Sequence, residues 1–140
     1  MHKNFTHRVK VYYEDTDAGG IVYYANYLKF LERARTEAIN SLGLSNKKIK
    51  ENFGANIIVK SCNIEYKTSA YLEDELNIRS FVKSVTKTSF LMKQIITREK
   101  DIIVDAEIHL VFINNLSKPV KIPETLLKDF KPYFCDSIKN

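Results

Sequence analysis

From Ala55 to Phe112 the chain repeats with a period of two. Val104, Ala106, Ile108, Leu110 and Phe112 alternate with Asp105, Glu107 and His109. Ile58, Cys62, Ile64 and Tyr66 mark one face of an earlier strand that runs to about Lys67. Leu76, Ile78, Ser80 and Val82 mark the next, and Phe90, Met92, Gln94 and Ile96 a third. Side chains of a strand point alternately to its two faces, so each run describes a strand with one buried side. The connections contain turn residues: Glu73-Asp74, Thr86-Lys87-Thr88 and Lys100-Asp101. They are too short for the crossover of a dozen or more residues that parallel strands need, so the sheet is antiparallel.

Two kinds of element precede this sheet. His7 to Glu14 alternates, with Val9, Val11 and Tyr13 on one side and Arg8, Lys10 and Tyr12 on the other. It reads as a further strand. Asn26 to about Leu42 then repeats at helical spacing through Tyr27, Leu28, Leu31, Ala34, Ala38 and Leu42. Asn26 suits the N-cap and Gly43 the stop. Such a helix is ~25 Å long, long enough to serve as the central element packed on the sheet. Ser45 to Asn52 predicts a short second helix ended by Gly54. Pro119 and Pro123 close the sheet region, and Glu124 to Phe134 predicts a terminal helix. The order implies one α+β domain over residues 1–140, a long helix laid against a curled antiparallel sheet of about five strands.

Bulk properties narrow the function little. The formal net charge of +5 suits an anionic ligand such as a nucleotide or phosphate, and equally a solvated surface. No basic and aromatic surface pattern points to nucleic acid. Cys62 and Cys135 lie too far apart in sequence to suggest a metal or redox pair, and Cys62 reads as a small buried hydrophobe. No run approaches the ~18 apolar residues of a membrane span. The first eight residues lack the apolar core of a signal peptide, so a cytoplasmic location is expected.

Chemistry concentrates where the first strand meets the long helix, in Tyr12-Tyr13-Glu14-Asp15-Thr16-Asp17-Ala18-Gly19-Gly20-Ile21-Val22-Tyr23. Carboxylates there stand close to a helix N-terminus, whose unpaired N–H groups attract negative charge. A calcium loop fits poorly, because Gly19 and Asn26 occupy positions that need carboxylate ligands. An Asp-x-Asp phosphoryl-transfer site needs a doubly wound fold, which the antiparallel half does not offer. For Asp15 and Thr16 the simplest role is turn and cap hydrogen bonding, and for Glu14 a solvated charge. No histidine lies near the motif to serve a Ser-His-Asp triad. His2 and His7 read as solvated and His109 as structural or exposed.

The same stretch closely resembles the signature of YbgC-type acyl-CoA thioesterases, which are associated with the Tol–Pal envelope system of Gram-negative bacteria. It is also similar to 4-hydroxybenzoyl-CoA thioesterase, a relative of the same hotdog fold. Asn26-Tyr27 and Glu32-Arg33-Ala34-Arg35-Thr36-Glu37 continue the match. The resemblance implies a hotdog domain, subunits paired edge to edge as a homodimer or homotetramer, and active sites at their interface. It maps the catalytic carboxylate onto Asp17 and the N–H that binds the thioester carbonyl onto Tyr24. Substrate contacts are implied along Gly20, Val22, Tyr23, Ala25 and Asn26.

Asp17 then acts either as nucleophile, through a mixed anhydride, or as general base on water. YbgC-type enzymes commonly carry His where this chain has Tyr24, whereas the benzoyl-type relative has Tyr. Coenzyme A enters as part of the substrate, and no metal or redox cofactor is expected. Its phosphates call for basic residues, with Lys83, Lys87 and Arg98 as candidates. Ser89, Asn63, Ser84 and Asn77 are polar candidates for the pocket. Further implied partners are an acyl-carrier protein and, peripherally, inner-membrane or phospholipid-synthesis proteins. The alternative reading is a non-catalytic thioester-binding or scaffold subunit of that envelope metabolism.

Overall fold

The computed structural model describes residues 2–135. Strand β1 (Phe5–Lys10) leads through a 3-10 turn (Tyr13–Asp15) to helix α1 (Asn26–Ser41) and the short α2 (Asn46–Phe53). Four strands follow, β2 (Asn56–Tyr66), β3 (Glu75–Val85), β4 (Ser89–Arg98) and β5 (Asp101–Ile113). Helix α3 (Glu124–Phe130) and a 3-10 turn (Lys131–Tyr133) end the described chain. The strands form one antiparallel sheet in the order β1-β3-β4-β5-β2. The α+β architecture expected from the period switch is therefore the one observed, with β1 and β2 at the edges.

The inner faces of β3, β4 and β5 are the runs read from the alternation. Leu76, Ile78, Ser80 and Val82, then Phe90, Met92, Gln94 and Ile96, then Val104 to Phe112 are buried. Helix α1 lies across this face and adds Tyr27, Phe30, Leu31, Ala34, Ala38 and Ile39 to the core. Gly43, at φ +82°, ends it by a left-handed turn that costs glycine nothing. Ser45 caps α2 by accepting the Lys48 N–H, and Gly54 closes it in the left-handed region.

Several local expectations are corrected. β1 stops at Lys10, because Tyr12 to Asp15 turn; Tyr13 is 81% exposed instead of inward. Leu28 is exposed, whereas Leu42 packs partly buried against the core as expected, and Phe30 and Ile39 join the buried stripe. In β2 a bulge between Val59 and Ser61 inserts one residue and reverses the parity. Ile57 and Val59 thus share the inner face with Cys62, Ile64 and Tyr66, while Ile58 points outward. Cys62 is exposed on this edge strand, not buried. Helix α3 ends at Phe130, ahead of Pro132, whose ring cannot continue it.

Candidate active site

The acidic turn is built by its own backbone. Asp17 N–H donates to the Ile21 carbonyl (2.9 Å) and Gly20 N–H to the Asp17 carbonyl (3.0 Å). Thr16 and Val22 bridge as a two-residue antiparallel pair. Gly20 sits at φ +80°, where a side chain is strained. The Asp17 carboxylate stands exposed at the head of this turn, with Oδ1 accepting the Gly19 N–H at 2.8 Å.

The loop between β2 and β3 braces the turn. Val22 N–H donates to Ala70 O (2.9 Å) and Leu72 N–H to Gly20 O (3.1 Å). Asp74 holds that loop by accepting from Tyr71 N–H and from Arg98. Arg98 also donates to Ser69 O and lies over the Tyr71 ring. Its guanidinium is thus committed to scaffolding, and Asp74 and Asp101 hold its proton more tightly than usual.

Asp15 joins the turn to the helix. It is 8% exposed; Oδ2 accepts Tyr12 N–H (2.9 Å) and Oδ1 accepts the Asn26 side-chain amide (2.7 Å). Its carbonyl takes the Tyr23 N–H. Asp15 and Thr16, whose hydroxyl donates to Tyr13 O, therefore do the turn-forming work expected of them. Asn26 is the first helical residue instead of the cap; Ala25 stands at the cap position without a side-chain bond.

A tight lead-in follows. Asn26, Tyr27 and Leu28 N–H groups reach back three residues to Tyr23, Tyr24 and Ala25. Among the described residues the N–H of Tyr24 has no acceptor. It stands at the positive end of a 16-residue helix, the place where an oxyanion is best stabilised.

The remaining candidates divide. Tyr23 and Tyr24 are exposed and in ring contact, and Tyr66 of β2 packs against Tyr24 and Tyr27. Ala25 is exposed and Gly20 partly so, but Val22 is in the core and the Asn26 side chain is spent on Asp15. Ser84 and Asn77 are exposed on β3, and Asn63 on β2 lies opposite Glu107 on the outer side of the sheet.

Lys83 is ion-paired with Glu107 on the outer face of the sheet, where Lys93 also pairs with Asp105. Ser89 is buried, with its hydroxyl 2.7 Å from Thr86 Oγ1 and 3.1 Å from His109 Nε2. Lys87 is exposed in the β3–β4 turn with no ion pair among the described residues. The brace from Tyr71, Asp74 and Arg98 was missed in the sequence, since those residues meet only through the fold. The half-buried Arg35, about three turns further along α1, was missed too; its one signal is its place four residues beyond Leu31 on the helix's inner stripe.

Comparison with known proteins completes this picture. The family model described as the thioesterase-like superfamily matches residues 11–130. The chain belongs to that superfamily. It is 38% identical to the acyl-CoA thioester hydrolase YbgC of Escherichia coli O6:H1, over 88% of this chain and 92% of that protein. It is 34% identical to the acyl-CoA thioesterase YbgC of Haemophilus influenzae, over 93% and 96%. The crystal structure of a probable thioesterase from Bartonella henselae superposes with a TM-score of 0.83 at 27% identity, covering 86% of this chain and all of that one. The long helix on a curled five-stranded sheet is accordingly the hotdog fold, and membership of the family makes this chain a thioester hydrolase.

Proposed function

We propose that this protein hydrolyses an acyl-CoA thioester to the free acid and coenzyme A. Asp17 supplies the carboxylate and the Tyr24 N–H grips the thioester carbonyl. The observation that carries the reading is the unengaged Tyr24 N–H at the start of α1, joined through Asp15 to the turn that presents Asp17.

Attack on the carbonyl places negative charge on its oxygen, and one preorganised donor there typically contributes about 3–4 kcal/mol. The peptide N–H comes from the backbone, so Tyr24 supplies it as well as His does. Asp17 either bonds to the carbonyl carbon, expelling the thiolate and leaving a mixed anhydride for water to cleave, or takes a proton from the attacking water. In both routes the carbon–sulfur bond breaks. A thiol is acidic enough, at about pKa 8.5, for its thiolate to leave without a strong acid.

Lys87, unpaired in the turn beyond β3, is the basic residue best placed to take a coenzyme A phosphate. Lys87→Glu is expected to raise KM for acyl-CoA more than it lowers kcat. Assembly through the free edge of β2 as a homodimer or homotetramer, a cytoplasmic location and carrier-protein thioesters as further substrates belong to the same proposal. Among the described residues no helix is long and apolar enough to cross a membrane.

Thiol release from a panel of short, long and aromatic acyl-CoAs tests the reading. Wild type turns over at least one of them, and Asp17→Asn loses at least ~10²-fold in rate, the scale of a positioned acid–base group, while still binding. Equal background rates in both proteins would instead mark a thioester-binding subunit.

A further inference from the structure

Helix α1 packs closest to β1 and β3 and touches β2 at Tyr66, leaving the rest of the inner face of β2 as an only partly covered seam. On the inner face of β2, Tyr66, Cys62 and Val59 remain exposed along it. The seam deepens into a cavity of about 170 Å³ lined by Arg35, Thr36, Ile39, Val59, Phe90 and Met92, with Glu32 also at its wall. This volume is close to that of the ~150 Å³ apolar cavity that accepts benzene, so it holds a handful of carbon atoms.

Arg35 is the anomaly in this apolar lining. One guanidinium nitrogen donates to the side-chain oxygen of Gln94 at 3.1 Å. Gln94 is fully buried in the sheet, and its amide nitrogen donates to Leu31 O (3.1 Å) and Ser80 Oγ (3.0 Å). Those two bonds fix which end of the amide faces Arg35, so the oxygen is held ready for the guanidinium. Among the described residues no carboxylate lies within ion-pair distance of Arg35, in contrast to Arg8 and Arg98. Glu32, exposed at the rim of the cavity, accepts the Thr36 hydroxyl at 2.6 Å instead.

A half-buried cation whose hydrogen bond goes to a neutral amide is costly: burial lowers its hold on its proton below that of an ordinary guanidinium, and the charge of Glu32 offsets this only in part. The group still carries its charge and has four N–H donors left in a planar fork, the geometry that takes a carboxylate with two bonds.

We propose that Arg35, positioned by Gln94, binds a carboxylate at the far end of the acyl chain, so that the enzyme prefers ω-carboxyacyl thioesters to methyl-ended ones of equal length. The inference rests on the thioesterase reading of the site at Tyr24. From Tyr24 to Arg35 is eleven residues, or ~16 Å along the helix at 1.5 Å per residue. An extended chain advances roughly 3.3–3.6 Å per three backbone bonds, so about 10–14 carbons span the path, allowing for the reach of the arginine. Ile39, Val59, Phe90 and Met92 then contact the methylenes near the carboxylate end.

The test uses ω-carboxyacyl-CoAs and methyl-ended acyl-CoAs matched in length across the medium-chain range. Their affinities are measured by calorimetry on Asp17→Asn, and kcat/KM is measured on wild type. The expected result is at least tenfold preference for the carboxylate in both readouts, weakened by salt, abolished in Arg35→Gln and partly kept in Arg35→Lys. If Arg35→Gln does not fold, competition on wild type by a free dicarboxylate against the monocarboxylate of equal length reads the same contact.

Equal or reversed preference at every length overturns the proposal, whether or not thioesters are hydrolysed. An affinity preference that depends on Arg35, together with no hydrolysis of any thioester by wild type, would uphold this contact and remove the thioesterase reading.

Discussion

Two aspartates two positions apart meet opposite fates here. Asp15 is sealed from water and accepts hydrogen bonds from the backbone of Tyr12 and the side chain of Asn26. Asp17 stands in solvent with one oxygen on Gly19 N–H. Asp15 is therefore the structural carboxylate and Asp17 the available one. Asp15→Ala leaves the Asn26 amide without its acceptor, so a loss of about 1–3 kcal/mol is expected, read as a lower urea midpoint. An Asp15/Asn26 double-mutant cycle should return a coupling of at least ~0.5 kcal/mol. At Gly20, φ +80° makes any side chain unfavourable by roughly 1–2 kcal/mol. Gly20→Val should therefore lower kcat more than Tm, because the strained turn is the one that presents Asp17. Equal kcat in Gly20→Val would argue that the turn's shape is immaterial to catalysis.

Among the elements, α1 is tied to the sheet by packing and by the Gln94 bonds to Leu31 and Arg35, and to the β2–β3 loop by a further buried polar contact. The Tyr27 hydroxyl accepts the Ala70 N–H at 3.0 Å, linking the helix to the loop that braces the acidic turn. Tyr27→Phe orphans that N–H and should cost about 1–3 kcal/mol, measured by denaturant unfolding. Burial, the larger influence, lifts the Tyr27 phenol above its ordinary value near 10. The folded protein thus holds this proton more tightly than the unfolded chain. The contribution is complete below the unfolded value and drains as pH rises through the raised folded one. Unfolding titrated above pH 10 should show wild type losing stability that Tyr27→Phe, having no phenol, does not lose there. The strands repeat the lesson of contact over pattern. β3, β4 and β5 were legible because the alternation read in each, Leu76–Val82, Phe90–Ile96 and Val104–Phe112, contains no bulge. β2 was legible as a strand but misread in its first turn of side chains, because its bulge swaps Ile58 outward and Val59 inward.

For the molecule as a whole, the free edge of β2 matters most. It is an eleven-residue edge strand exposing Ile58 and Val59, and its unpaired backbone groups are of the kind that pair with another chain. If assembly runs through it, Ile58→Lys on this edge should convert the oligomer to monomer in light scattering and reduce turnover with Asp17 intact. An unchanged mass would direct the search to another surface.

The order of elements, the antiparallel sheet and the acidic turn before a helix were readable in the linear chain. They follow from side-chain periodicity, loop length and glycine, which act over a few residues. The Asp15–Asn26 lock, the bracing by Arg98 and Asp74, the Ser89–His109 contact and the Arg35 cavity beside β2 were not. Each depends on groups from about ten to sixty residues apart meeting at about 3 Å, and such meetings arise only once the chain has closed around its core.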